Sequence, residues 1–216
     1  MMTVIHSTPR RGRFTTSVFL GLAFLAGTAQ AQERGGPEAG SIEAGREASQ
    51  SCAACHGIKG NSNNPAFPSL AGQPARYIAA QLEAYRSRER EDAIMNAQAA
   101  NLDEQQIRDI AAYYAAQELE ISNPATEGSA LGAVLYHHGR ENVAACAACH
   151  SSDGYGNQPA GFPALRGMST TYLIQSLRDY RSGKREHGQA ALMLPIAAEL
   201  SDEEIEALAA HIATLD

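Results

Sequence analysis

Beyond its first thirty residues the chain has no apolar run of membrane length, so the remainder is expected to be soluble rather than membrane-spanning. No stretch alternates apolar and polar residues as a half-buried strand would, which argues against a sheet. Basic charge is also in deficit, with 17 Lys and Arg against 24 Asp and Glu, and this disfavours a nucleic-acid partner. Cysteine is scarce: there are four, and their spacing argues against the disulfides expected in an oxidising compartment. Disorder is excluded in turn by a 44% hydrophobic, 19% charged composition over 216 residues, enough for one large domain or two small ones.

The amino terminus reads as an export signal over residues 1–31. Arg10, Arg11 and Arg13 precede an apolar run from Val18 to Ala29, and Ala29-Gln30-Ala31 offers a small-residue site with cleavage expected after Ala31. Gly12-Arg13 departs from the twin-arginine pattern, so the general secretory route is favoured. The rest of the chain then carries 14 basic and 24 acidic residues, a formal charge of −10, which fits steering toward a basic docking surface.

An internal duplication follows. Cys52-Ala53-Ala54-Cys55-His56 is repeated as Cys146-Ala147-Ala148-Cys149-His150, 94 positions on. Phe67-Pro68-Ser69-Leu70-Ala71-Gly72 matches Phe162-Pro163-Ala164-Leu165-Arg166-Gly167, and Tyr85-Arg86-Ser87 matches Tyr180-Arg181-Ser182. After a short insertion near Gly183, Met95 matches Met193. The polar, Pro- and Gly-bearing run from Ile121 to Gly128 marks the seam, giving domains 32–123 and 124–216.

The pattern within each half is helical. Ile107, Ile110, Ala111 and Tyr114, and again Ile205, Leu208, Ala209 and Ile212, lie on one helical face. Asp103 with Gln106, and Ser201 with Glu204, predict capping boxes at the start of these helices. A middle helix is predicted from Pro74, burying Ile78, Leu82 and Tyr85, with a counterpart carrying Leu173, Leu177 and Tyr180.

Two thiols three residues apart share one face of a helical turn, where both reach the vinyl groups on one edge of a haem, and the next residue, His, reaches the iron. C-x-x-C-H is the attachment signature of haem c, and its two copies predict two covalently bound haems on Cys52, Cys55, Cys146 and Cys149. A zinc site would need a fourth ligand that the first half lacks, and a redox dithiol would need strand–helix alternation around it. His56 and His150 are the expected axial ligands.

Met95 is the natural sixth ligand of the first iron, because that half offers one His, His56, one Lys, Lys59, and one Met. Its repeat partner Met193 then serves the second. Met168 matches Gln73 and is expected to fill the core. His137, His138, His187 and His211 have no counterpart in the first half and are read as solvated or packed residues. The carbonyls of Pro68 and Pro163 are candidate acceptors for the other nitrogen of each axial histidine. Arg86, Arg90, Arg181 and Arg185 recur at equivalent places, either as partners of haem propionates or as solvated helix ends.

With Cys-Ala-Ala-Cys-His-Gly at 52 to 57, Asn-Pro-Ala-Phe-Pro-Ser-Leu-Ala-Gly at 64 to 72, Ala-Ile-Met at 93 to 95 and Asp-Ile-Ala-Ala-Tyr-Tyr at 109 to 114, the chain resembles the cytochrome c4 family. The resemblance implies an all-α tandem duplication of the class I cytochrome c fold and a periplasmic electron carrier rather than an enzyme. It implies propionates facing the interface between pseudo-symmetric domains. As partners it implies a membrane-bound haem–copper oxidase and an upstream cytochrome or dehydrogenase, with peripheral membrane association and no nucleic acid. The second copy departs from the first at Ser151, which stands where Gly57 does, and at Leu194-Pro195 after Met193. The rival readings are the cytochrome subunit of a flavocytochrome sulfide dehydrogenase or another dehydrogenase, and a dihaem peroxidase.

Overall fold

Buried side chains recur every three or four residues in both halves, and the computed structural model turns that pattern into helices. It describes Met1, Thr3 and residues 40–121 and 127–215. Apart from Met1 and Thr3, the expected export signal lies outside those residues, as does the expected seam at 123/124. In the first half run α1 (Ile42–Ala48), α2 (Ala53–His56), a 3₁₀ turn (Ile58–Gly60), α3 (Ala75–Ser87), α4 (Ala93–Ala99) and α5 (Glu104–Ala115). In the second follow α6 (Ala130–His138), α7 (Ala147–His150), α8 (Thr170–Arg181), a 3₁₀ helix (Gly188–Met193), α9 (Leu194–Ala198) and α10 (Asp202–Ile212). The described residues form no strand beyond two isolated bridges, Arg140 with Val143 and Asn157 with Phe162.

Both predicted capping boxes are formed. Asp103 accepts from the Gln106 amide while the Gln106 side chain accepts from the Asp103 amide, and Ser201 and Glu204 repeat the arrangement. Each half has its own core, Ile78, Leu82, Ile107, Ile110 and Tyr114 in one and Leu135, Leu173, Ile205, Leu208 and Ile212 in the other. Met168 is part of the second core, as its lack of a matching methionine implied.

The first and last helices of each half cross at a glycine. A β-carbon on Gly45 would fall 1.9 Å from the Asp109 carbonyl oxygen, and one on Gly132 would fall 2.0 Å from that of Ala207. Both obstacles are backbone, so relief requires moving a helix. Gly132→Ala is expected to destabilise the holoprotein by about 1–3 kcal/mol, the usual cost of overpacking, read by thermal unfolding.

The described residues of the two halves, from Gly40 onward, belong to one compact unit. Gln73, 2% exposed, crosses between them: its Nε2 donates to the Ala164 carbonyl at 2.9 Å and its Oε1 accepts from the Ala164 amide at 3.0 Å. Gln158 Nε2 donates to the Gly72 carbonyl at 2.8 Å, and Arg76 to the Pro159 carbonyl at 2.8 Å. This pairing places the cysteine-bearing turns on the walls of one shared cavity.

Candidate functional site

Each Cys-Ala-Ala-Cys-His segment is a single helical turn, α2 or α7. The His56 amide donates to the Cys52 carbonyl at 2.9 Å, and His150 to Cys146 at 2.9 Å, so in each turn both thiols and the imidazole share one side. The four cysteines are unpaired. Burial raises the Cys52 thiol and pushes that of Cys146 up to about 11, so both sit in their turns as neutral thiols.

The imidazoles are held from behind. His56 Nδ1 lies 2.9 Å from the Pro68 carbonyl oxygen and His150 Nδ1 lies 2.8 Å from that of Pro163. A carbonyl only accepts, so Nδ1 carries the hydrogen and Nε2 keeps its lone pair. Burial lowers the pKa of both rings, against the opposing pull of the proline carbonyls, and the rings are therefore neutral bases.

The residue after each histidine has φ near +70° and an extended ψ, a conformation essentially reserved for glycine. The first half supplies Gly57, where a β-carbon would fall 1.8 Å from the Asn61 carbonyl oxygen. The second holds Ser151 there, tied by its hydroxyl to the Asp153 carboxylate at 2.6 Å. Ser151→Gly is expected to stabilise the protein by about 1 kcal/mol, raising Tm by about 2–4 °C.

A cavity of about 1130 Å³ runs through both halves, lined by Cys52, Cys55, His56 and Met95 on one side and Cys146, Cys149, His150 and Met193 on the other. Met95 packs against the first core, and Met193 against Tyr180, Ala190 and Ala197.

The four arginines separate into two kinds. Arg86 donates to the Leu102 carbonyl, while Arg181 donates to the Leu200 carbonyl and pairs with Asp202 at 2.7 Å, so both close helix ends. Arg90 and Arg185 are instead 8% and 3% exposed, stacked over Tyr85 and Tyr180 on the cavity wall. Among the described residues no carboxylate pairs with either, and Arg185 Nε has no hydrogen-bond partner. Two buried guanidiniums without an anion are costly, and their field is felt nearby: burial alone would raise the Tyr172 phenol, yet Arg185 and Arg90 draw it down to about 8. Thiols, neutral imidazoles, an apolar chamber and uncompensated arginines suit a covalently held haem whose carboxylates reach the interface.

Sequence reasoning missed the polar groups between the halves. His187, expected to be solvated or ordinarily packed, is 8% exposed beside Arg90 and Arg185. Gln81 Oε1 meets Arg90 Nη1 at 2.5 Å, Arg185 Nη2 at 3.3 Å and His187 Nε2 at 3.2 Å. The arginine repeat was a usable signal for half of this cluster. The glutamine and histidine have no repeat signal. His137 and His211 are half-buried against Tyr136, away from the cavity.

Comparison with known proteins agrees with this geometry. The cytochrome c family model matches residues 42–116 and 130–216. Cytochrome c4 of Pseudomonas aeruginosa is 39% identical over 177 residues, 81% of this chain and 88% of that protein. A thiosulfate dehydrogenase electron acceptor of Stutzerimonas stutzeri is 33% identical over 201 residues, 90% of this chain and 93% of that protein. The crystal structure of reduced recombinant cytochrome c4 from Pseudomonas stutzeri superposes with a TM-score of 0.77 at 35% identity, covering 82% of this chain and 100% of that one.

Proposed function

Because the chain belongs to the cytochrome c4 family, as a dihaem electron carrier and not an enzyme, we propose that it shuttles single electrons through a periplasmic respiratory chain, from an upstream cytochrome or dehydrogenase to a haem–copper terminal oxidase. Cys52 and Cys55 hold one haem c and Cys146 and Cys149 the other. In this reading His56 and Met95 ligate the first iron, His150 and Met193 the second. The observation that carries it is the duplicated arrangement of a neutral imidazole, fixed from behind by a proline carbonyl, and a methionine lining the same chamber.

A bound haem supplies a one-electron couple at its iron. The protein does the rest. Pro68 and Pro163 fix the imidazole tautomer and orientation, Met95 and Met193 would ligate the iron and keep substrate from it, and Arg90 and Arg185 would hold the negative charge of the haem carboxylates. Residues 1–31 serve as the export signal, with 32–123 and 124–216 as the two haem domains; the matched family spans fall inside these bounds. No helix among the described residues is long and apolar enough to cross a membrane, in keeping with a carrier that meets membrane partners peripherally.

The relative that accepts electrons from thiosulfate dehydrogenase favours a second reading, in which the donor is a dehydrogenase that this chain accompanies as acceptor. Purification from the native host separates the two. A lone protein whose reduced form is reoxidised by oxidase-containing membranes supports the carrier. Stoichiometric co-purification with a catalytic dehydrogenase subunit supports the second reading instead.

A further inference from the structure

His187 has a defined tautomer and an unmet valence. The Gln81 side-chain atom that faces two guanidiniums must be its oxygen, which only accepts, so His187 Nε2 carries a hydrogen and donates to it. The basic atom is then Nδ1, which is buried and has no hydrogen-bond partner. Neutral, it wastes a lone pair; protonated, it is a donor without an acceptor unless an anion enters the cavity.

The titratable groups facing this cluster are Tyr77 and Tyr85 from α3, Tyr172 and Tyr180 from α8, and Arg90 and Arg185 from the loops after those helices. None is a carboxylate. Burial, then the charges of Arg90 and Arg185, lower His187 to about 4. Haem carboxylates held by those arginines would offset their charge and supply the missing acceptor.

We propose that His187 links electron transfer to proton uptake: its Nδ1 binds one proton when an electron from a one-electron donor enters the interface cavity, and releases it when the electron leaves. This rests on the reading of the cavity as the site of two haems. The added electron makes the cavity one charge more negative, so the reduced protein holds the proton more tightly than the oxidised one. Potentials therefore fall as pH rises, between the His187 pKa of the oxidised form and that of the reduced form. Burial and the two arginines pull the ring toward about 4, and haem carboxylates, present in both oxidation states, would pull it back toward the ordinary histidine value near 6.5, so the window is sought between these two values. His187 has no counterpart in the first half, so the device is present once per molecule.

The test is spectroelectrochemical titration of the holoprotein from pH 4.5 to 8, for the wild type, His187→Gln and Tyr172→Phe. His187→Gln keeps a donor for Gln81 but does not titrate. The wild type should show at least one potential falling with pH by up to 59 mV per unit, a tenfold change for one electron. In His187→Gln that slope should vanish, leaving the potential near the wild-type high-pH value, and Tyr172→Phe should keep it. A flat wild type, or a slope unchanged in His187→Gln, would overturn the proposal. Failure of the haem reading itself would show separately, as an absent c-type spectrum.

Discussion

Replacing either methionine with alanine should open one iron per molecule to carbon monoxide and lower the reduction potential of that haem. Met95 and Met193 line the cavity from opposite halves, at matching places in the repeat. Thioether ligation raises the potential of a haem iron relative to more donating or aqueous ligation, and axial ligand sets together span about 0.8 V. A fall on the order of 0.1 V is therefore expected at one haem only, with half of the reduced visible spectrum shifting on exposure to carbon monoxide. Met168→Ala is the control. It removes a core methionine, so it should lower Tm while leaving both irons closed. Carbon monoxide binding in Met168→Ala but not in Met193→Ala would move the ligand to the unpaired methionine.

Arg185→Leu should cost the holoprotein about 3–5 kcal/mol, on the order of 10 °C in Tm, because in the proposed site it would strip a buried haem carboxylate of its partner. Arg185 is 3% exposed, and its guanidinium stacks on Tyr180 and touches Tyr77 and Gln81 of the other half. Arg181→Leu removes the same group four residues earlier in the same half, but from an exposed pair with Asp202. That change should cost about 1 kcal/mol or less. Thermal unfolding of both holoproteins reads the contrast directly. Equal losses would mean that no anion sits at the interface.

The covalent chemistry was legible because it is local. Two thiols and an imidazole on one turn need only the spacing C-x-x-C-H, and the terminal helices announced themselves by apolar period and capping residues. Helix α1 and its counterpart α6 went unread, although Ser41 and Ser129 cap them, since each is too short to build a strong period. Their register was further obscured. Gly45 stands seven residues before Cys52, but its structural counterpart Gly132 stands fourteen before Cys146, so the repeat offset points to Gly139 instead. The extra segment is pinned by Arg140, which donates to the Glu199 carbonyl and pairs with Glu204 at 2.6 Å, drawing that carboxyl down to about 2.

The interface was the least legible part. Gln73, Gln81 and His187 are ordinary polar residues in sequence, and their meaning comes from meeting across 91 to 106 positions of chain. Arg90 and Arg185 could not be told from Arg86 and Arg181 by repetition, since all four repeat. Burial separates them.

The most direct test of two closed, six-coordinate irons is the visible spectrum of the reduced wild-type holoprotein before and after carbon monoxide. A low-spin c-type spectrum for two haems, unchanged by the gas, is the expected result. Prompt binding at either haem would contradict His/Met ligation and electron carriage together, and would favour a site built for catalysis.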